Sequence, residues 1–361
     1  MDLKYYTTEF DSQLLLIGKH QELSKNFNAF FTSKGLDMDR ALKFEVFVDV
    51  QLDDDLVSAN ENLGITLAHI SKKGCPSYAI SALKPLDNDK EAKLIITYCN
   101  DAYYKIEYKD FQKKPYTLVS DKSEKYLFSG GISSINGRDT LGNIQLAFDF
   151  TEQLLDHEEM HFGHLININY LLEDKGVKKD FEGHTWTYAE MVQQVSQLYF
   201  DPTLFKGAYP TSSLMSNALN GVNLQFIAGS KDSFSINQKV DSSANIEEVS
   251  ASQLSYVNEM NTLFISGISS SMLSKGKKGN IIQQTEACIN EIKNCIAGSG
   301  FADDADSTFD VIKVYLSKNS NFEDVKLMLE QQIKATNYLY LLADLPNKDD
   351  LLMIEGVVAA K

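Results

Sequence analysis

The ten residues ALKFEVFVDV, positions 41–50, constrain this chain most strongly. Leu42, Phe44, Val46, Val48 and Val50 fall on one side of an extended chain, and Lys43, Glu45 and Asp49 fall largely on the other. Alternation with period two over aromatic and β-branched residues belongs to a half-buried strand. Similar runs follow. KLIITYCNDAYYKIEY (93–108) is two short apolar stretches around Cys99, Asn100 and Asp101, a hairpin pattern. YTLVSDKSEKYLF (116–128) repeats it with a turn near Asp121 and Lys122, and Asn136-Gly137 is a further turn pair. NIQLAFDF (143–150) alternates Ile144, Leu146, Phe148 and Phe150. Residues 1–150 are therefore expected to form an antiparallel β sandwich or barrel-like domain. No repeat of the solenoid or propeller kind is visible.

The texture changes at Thr151. Residues 151–244 read as a mixed region, with two helices up to about Phe200 and then a Ser-, Asn- and Gly-rich stretch holding one strand, VNLQFIAG. Residues 245–361 read as a helical domain. Asn245 with Glu248 can cap one helix whose stripe is Val249, Tyr256, Met260 and Leu263. Ile281, Thr285, Cys288, Ile292 and Cys295 form the next stripe, and Gly298 can end it. Ser307 with Asp310, and Ser320 with Glu323, have capping-box spacing for two more helices. LLMIEGVVAA closes as a short strand. The expected class is α+β: an N-terminal antiparallel β domain followed by a mostly helical C-terminal region.

Charge and composition narrow the function. The net charge of −16 disfavours nucleic acid and anionic membrane as partners, because both select a basic face. Arg40 and Arg138 are the sole arginines, so bidentate clamps on phosphate or carboxylate are scarce. No run approaches the roughly 18 apolar residues of a membrane helix. MDLKYYTTEFDSQ has no signal-peptide core, and Cys75, Cys99, Cys288 and Cys295 lack metal or disulfide spacing. The expected location is the cytoplasm or an assembled particle, without membrane insertion.

One stretch points to chemistry: LLDHEEMHFGH, 154–164. Read as one helix over 151–172, it puts Leu154, His157, His161, His164, Ile168 and Leu171 on a single stripe. Imidazoles on a core-seeking stripe need partners, since an unpaired buried polar group costs about 1–3 kcal/mol. Protein groups or a metal could supply them. His157-Glu158-x-x-His161 resembles the zincin metallopeptidases over those five residues. That resemblance implies zinc on His157 and His161, Glu158 as general base, and a third ligand from beyond the helix, for which His184 and Glu190 are candidates. Against it stand the second charge of Glu159 and the capping-box spacing of Thr187 and Glu190.

Two functions follow. The first is a non-catalytic subunit of a larger assembly, of phage, toxin-delivery or secretion-machine type. It would carry no cofactor, and its partners would be other protein subunits or further copies of this chain. The alternative is a zinc-dependent hydrolase using His157, Glu158 and His161.

Overall fold

Three copies of one α/β topology follow one another along the chain. The structure is a computed structural model that describes residues 1–50, 52–87, 91–134, 140–172, 179–181, 184–201, 203–204, 209–216, 222–230, 254–270, 279–299, 308–317, 322–345 and 347–359.

The first unit runs β1 (Leu3–Asp11), α1 (Ser12–Leu16), α2 (His20–Lys34), β2 (Ala41–Phe47), α3 (Asp53–Ile70), β3 (Ser77–Ser81), β4 (Lys84–Pro85) and β5 (Glu91–Cys99). The second runs β6 (Lys105–Phe111), β7 (Lys114–Ser120), β8 (Lys125–Ser129), β9 (Ile132–Ser134), α4 (Thr140–His157), β10 (Leu165–Leu172), β11 (Lys179–Phe181), β12 (His184–Trp186), α5 (Tyr188–Tyr199), β13 (Thr211–Ser216) and β14 (Val222–Gly229). The third runs β15 (Leu254–Val257), β16 (Thr262–Ser269), α6 (Ile281–Ser299), β17 (Val311–Leu316), α7 (Phe322–Gln332), β18 (Tyr338–Leu342) and β19 (Leu352–Ala359).

The sheet orders expose the repetition. They are β1-β5-β2-β3, then β6-β7-β8-β14-β10-β13, then β15-β16-β19-β17-β18-β4. Each contains the same four strands in the order first, last, second, third: β1-β5-β2-β3, β8-β14-β10-β13 and β16-β19-β17-β18. In each, the second and third strands are parallel and the last is antiparallel to its neighbours. A parallel pair needs a crossover, and α3, α5 and α7 supply the three.

The four shared strands of each unit are covered on both faces. The outer faces meet helices in three separate cores. Phe44 and Val46 of β2 join Phe27, Phe31, Leu63 and Leu67; Ile168 and Leu172 of β10 join Phe148, Leu154 and Val195; Ile312 and Val314 of β17 join Cys288, Ile292 and Leu329. The inner faces share one core, to which the units contribute Leu42 and Phe47, Ile166 and Leu171, and Val311 and Tyr315. Burying one such side chain contributes about 1.5–3 kcal/mol, so inner and outer faces both hold each sheet in place.

The units close in a ring, the third strand of each lying against the next unit. Gly131 N donates to Tyr78 O at 2.9 Å and Ser77 N to Thr117 Oγ1 at 2.9 Å, joining β3 to the second unit. Gly267 N donates to Ser213 Oγ at 2.9 Å, joining β13 to β16. Asn337, just before β18, donates to Tyr5 O at 3.2 Å and accepts from Thr7 Oγ1 at 2.6 Å, both on β1. Strand β4 of the first unit also pairs with β18.

This architecture corrects the expected class. An N-terminal β sandwich or barrel followed by a helical C-terminal region is not present; strands and helices alternate throughout. NIQLAFDF lies in α4, where Ile144, Ala147, Phe148 and Leu155 are buried at helical spacing. The residues 254–269 read as helix are the strands β15 and β16. Asp310 precedes a strand, β17, instead of a helix. Asn136-Gly137, Asn245, Glu248, Val249, Ser307 and Ser320 lie outside the described residues. The β7–β8 hairpin, the VNLQFIAG strand, the α6 stripe and the closing strand agree with the sequence reading.

Candidate active site

The HEEMH segment is not one helix face. Helix α4 ends at His157, and Glu159 takes a left-handed φ of 58°. Glu159 N bonds Asp156 O at 3.0 Å and Met160 N bonds Leu155 O at 2.8 Å, the two hydrogen bonds of a Schellman motif. Met160 and Leu155 then pack in one core, fixing the turn. The chain passes through a short 3-10 turn, Phe162–His164, into β10. His157 is exposed, its ring 5.1 Å from that of Phe111. His161 and His164 stack at 3.8 Å; Gly163 N donates to His161 Nδ1 and His161 N to His164 Nδ1.

Glu158 is buried and already engaged. Lys109 Nζ lies 2.9 Å from Oε1, the Tyr116 hydroxyl donates to Oε1 at 2.5 Å, and Lys125 Nζ is 3.5 Å from Oε2. Burial alone would raise its pKa, but the Tyr116 hydroxyl and the two lysines prevail and hold it below the usual carboxylate value. Such a carboxylate is a stable anion, unsuited to taking a proton from water. His184 sits in β12, and Glu190 closes the capping box with Thr187 at the start of α5. Among the described residues no group of three or more His, Cys, Asp or Glu is arranged to hold a metal ion. The zinc-hydrolase alternative loses its geometric basis.

Among the described residues, two polar sites made by the ring of units stand out. The first lies where the three inner faces meet. Lys313 of β17 reaches Glu45 of β2 at 3.3 Å and Glu355 of β19 at 3.1 Å. Lys43 is 3.4 Å from Glu45, and the Tyr315 hydroxyl donates to Glu355 at 2.8 Å. Burial opposes the charge on Glu45, yet Lys313 and Lys43 hold its pKa down at about 2. Lys43, whose burial outweighs its partial share of Glu45, is shifted below the ordinary lysine value. A chamber of about 40 Å³ opens beside these groups. In this structure it has room for one or two waters, and the network forms a buried polar hub between the units.

The second site is a cleft of about 480 Å³ at the seam between the first two units, within the size range of small-molecule sites. Helix α3 forms one wall with Leu56, Val57, Asn60 and Glu61, and β3 adds Tyr78 and Ile80. The β6–β7 turn, Gly130-Gly131, Ser133 and Asn223 form the other. Lys114, the first residue of β7, lines this cleft and is mostly buried. Burial is the one cause acting on its ammonium, and it lowers the pKa. Among the described residues no carboxylate or hydrogen-bond acceptor offsets that cost.

The turn that delivers Lys114 is strained. Phe111 pairs directly with Lys114, leaving the two-residue loop Gln112-Lys113. Their φ values are 49° and 67°. That is the type I′ pattern normally filled by Asn-Gly, and a side chain in the left-handed region costs about 1–2 kcal/mol. Lys113 N donates to Asp110 Oδ1 at 2.7 Å and Gln112 Nε2 to Gln153 Oε1 at 3.0 Å, which pins the turn.

Asn223 supplies a second unsatisfied group. It is 8% exposed; its Nδ2 donates to Ile80 O at 3.3 Å, and its Oδ1 is buried with no partner among the described residues. The Ile80 carbonyl fixes the amide orientation, so the orphan is an acceptor. A Cβ on residue 131 would stand 3.0 Å from that oxygen, so Gly131 packs closely against the Asn223 amide. A Cβ on residue 130 would meet Tyr78 O at 2.7 Å and Pro115 O at 2.9 Å, so the seam itself needs a glycine there. The hydroxyl of Tyr78 keeps its proton, since burial and then the charges of Cys75 and Glu61 raise its pKa. Cleft residues come from five separated stretches, and the sequence reading assigned none of them to a site.

No family model matches the sequence, and no curated protein matches it. Among solved structures the chain is similar to a crystal structure of a chorismatase, with TM-score 0.65, 12% identity, and 99% of this chain and 100% of that chain covered. Shorter matches include a member of the YjgF protein family from Neisseria meningitidis (TM-score 0.28, 16% identity, 36% of this chain and 99% of that one). Another is a protein of unknown function of the conserved Rid family from Yersinia pestis (TM-score 0.30, 16% identity, 36% and 100%). The likeness to the chorismatase corrects the assembly-subunit reading: no phage, toxin-delivery or secretion component is indicated. From end to end, the fold of this chain is similar to that of the chorismatase.

Proposed function

We propose that this chain is an enzyme acting on a small hydroxylated carboxylate or carbonyl compound, bound in the cleft between the first two units. The observation that carries the reading is one cleft lined by the desolvated amine of Lys114 and by Asn223, whose Oδ1 has no hydrogen-bond partner among the described residues. A perturbed lysine in a cleft of this size is a recurrent mark of a catalytic site. Asn223 Oδ1 calls for a donor on the substrate, a hydroxyl or N–H. Lys114 calls for an anion, or for an electrophile that uses its free amine. Arg40 is occupied by Cys99 O and Asp101 O, so a substrate carboxylate here would meet lysine.

The fold supports an enzyme, and it selects the first compound to test. Chorismate carries a ring hydroxyl and carboxylates, which suits both unsatisfied groups. Purified protein is incubated with chorismate and related cyclic hydroxy acids, and consumption is followed by liquid chromatography. Turnover is expected, and Lys114→Met should lower kcat/KM by about 100-fold or more, as removal of a positioned acid–base group does. Undiminished turnover in Lys114→Met would place the chemistry elsewhere.

A further inference from the structure

We infer that Lys114 is a nucleophilic amine that condenses with an aldehyde or ketone substrate to form an imine. This rests on the cleft being the active site. Three features of the structure lead to it. Lys114 lies against a cavity of about 480 Å³, with no ion pair among the described residues to hold it as an ammonium. A pinned, strained two-residue turn fixes its backbone, so the amine is presented from a rigid strand end. Asn223, whose buried Oδ1 has no hydrogen-bond partner among the described residues, lines the same cavity, and a small shift of its amide would let it orient a hydroxylated carbonyl compound.

A desolvated lysine in a partly apolar pocket is the form of lysine that carries imine chemistry. The nitrogen lone pair attacks the carbonyl carbon, and the C=O π electrons move to oxygen. A proton passes from nitrogen to that oxygen, giving a carbinolamine. The C–O bond then breaks, the oxygen leaves with the second nitrogen proton as water, and the C=N bond forms. Amine and carbonyl give imine and water, with no oxidant or reductant. Leu56 and Val57 on the facing wall favour a substrate with an apolar body. The class indicated is a 2-oxo acid or aldehyde carrying a hydroxyl group.

The test is reductive trapping. Full-length protein is incubated with 4-hydroxyphenylpyruvate or with pyruvate in the presence of cyanoborohydride, and peptides are mapped by mass spectrometry. One adduct per chain on Lys114 is expected, at least about tenfold above its neighbour Lys113, faster with 4-hydroxyphenylpyruvate, and absent in Lys114→Arg. Labelling of Lys114 no greater than that of Lys113 would overturn the inference. Chorismate turnover is measured on the same preparations. Chorismate turnover by the wild-type protein with no adduct on Lys114 refutes the imine and leaves the cleft as the site. An adduct without turnover of any compound tested keeps the imine and refutes the proposed substrate.

Discussion

Lys313→Met is the sharpest test of how the three units hold together. Lys313 belongs to the third unit, and its ammonium lies within 3.5 Å of both oxygens of Glu45 from the first unit and 3.1 Å from Glu355. The side chains of Glu45 and Glu355 are 13% and 8% exposed. Methionine preserves most of the volume, so packing changes little and the loss is electrostatic. Lys43, 3.4 Å from Glu45, would then be the remaining ammonium beside two carboxylates. Removing one partner of a buried pair costs about 3–5 kcal/mol, a large part of the roughly 5–15 kcal/mol that holds a domain together. Urea unfolding followed by circular dichroism reads the difference directly.

The pH dependence gives the same prediction a second handle. The Glu45 carboxyl has its pKa lowered in the folded protein from 4.5 to about 2. It contributes stability that is present above its unfolded value and is lost as pH falls through about 2. In Lys313→Met, burial without the lysine favours protonated carboxyls, so the deficit should shrink as pH falls from 7 toward 4. Added salt should not rescue the variant, because buried charges are poorly screened. A loss under about 1 kcal/mol at neutral pH, or a deficit that does not change with pH, would refute the reasoning.

Other substitutions test the remaining parts. Glu158→Gln removes the anion shared by Tyr116, Lys109 and Lys125 and should cost about 2 kcal/mol or more in denaturant unfolding; because the folded pKa is lowered, the cost should fade as the wild type is acidified below its unfolded carboxyl value. Gln112→Asn with Lys113→Gly relieves two left-handed side chains and should raise stability by about 1 kcal/mol or more in thermal melts. Gly130→Ala drives a methyl into two backbone oxygens and should destabilise by about 1–3 kcal/mol, whereas Gly131→Ala meets only the Asn223 side chain and should weaken ligand binding in calorimetry more than it lowers the melting temperature.

What was legible follows from how each element is exposed. The β7–β8 hairpin and α6 were legible because their patterns are local: a short turn between two strands, and a stripe at steps of three and four. Strand β10 was taken for helix because it is buried on both faces. Leu165, Ile166, Ile168, Leu171 and Leu172 leave no period of two, and the apolar run after HEEMH fits a helix as well. Ile144 and Phe148 satisfy alternation and a helical i, i+4 spacing together, so α4 was read as strand. The left-handed Glu159 that ends α4 carries no glycine to announce it.

The threefold repetition was hidden for another reason. Matching positions share backbone geometry and not side chains. Ser77 Oγ donates to Leu42 O and Thr211 Oγ1 donates to Ile166 O, which aligns Lys43 with Asn167. A lysine and an asparagine at one position give no sequence repeat. The cleft draws on residues near 56–61, 78–80, 112–115, 130–133 and 223, far apart until the seam closes. Lys114 itself sits in FQKK, where nothing local separates it from the solvated lysine beside it.

The state of the Lys114 amine tests the central claim most directly. Trinitrobenzenesulfonate labelling of single lysines, followed by mass spectrometry across pH, reports the titration of each amine, with and without chorismate. If the cleft is the active site, Lys114 titrates below the ordinary lysine value of about 10.4 and chorismate slows its labelling while leaving Lys113 unchanged. If Lys114 titrates with the surface lysines and no ligand protects it, the cleft is not the site of the reaction.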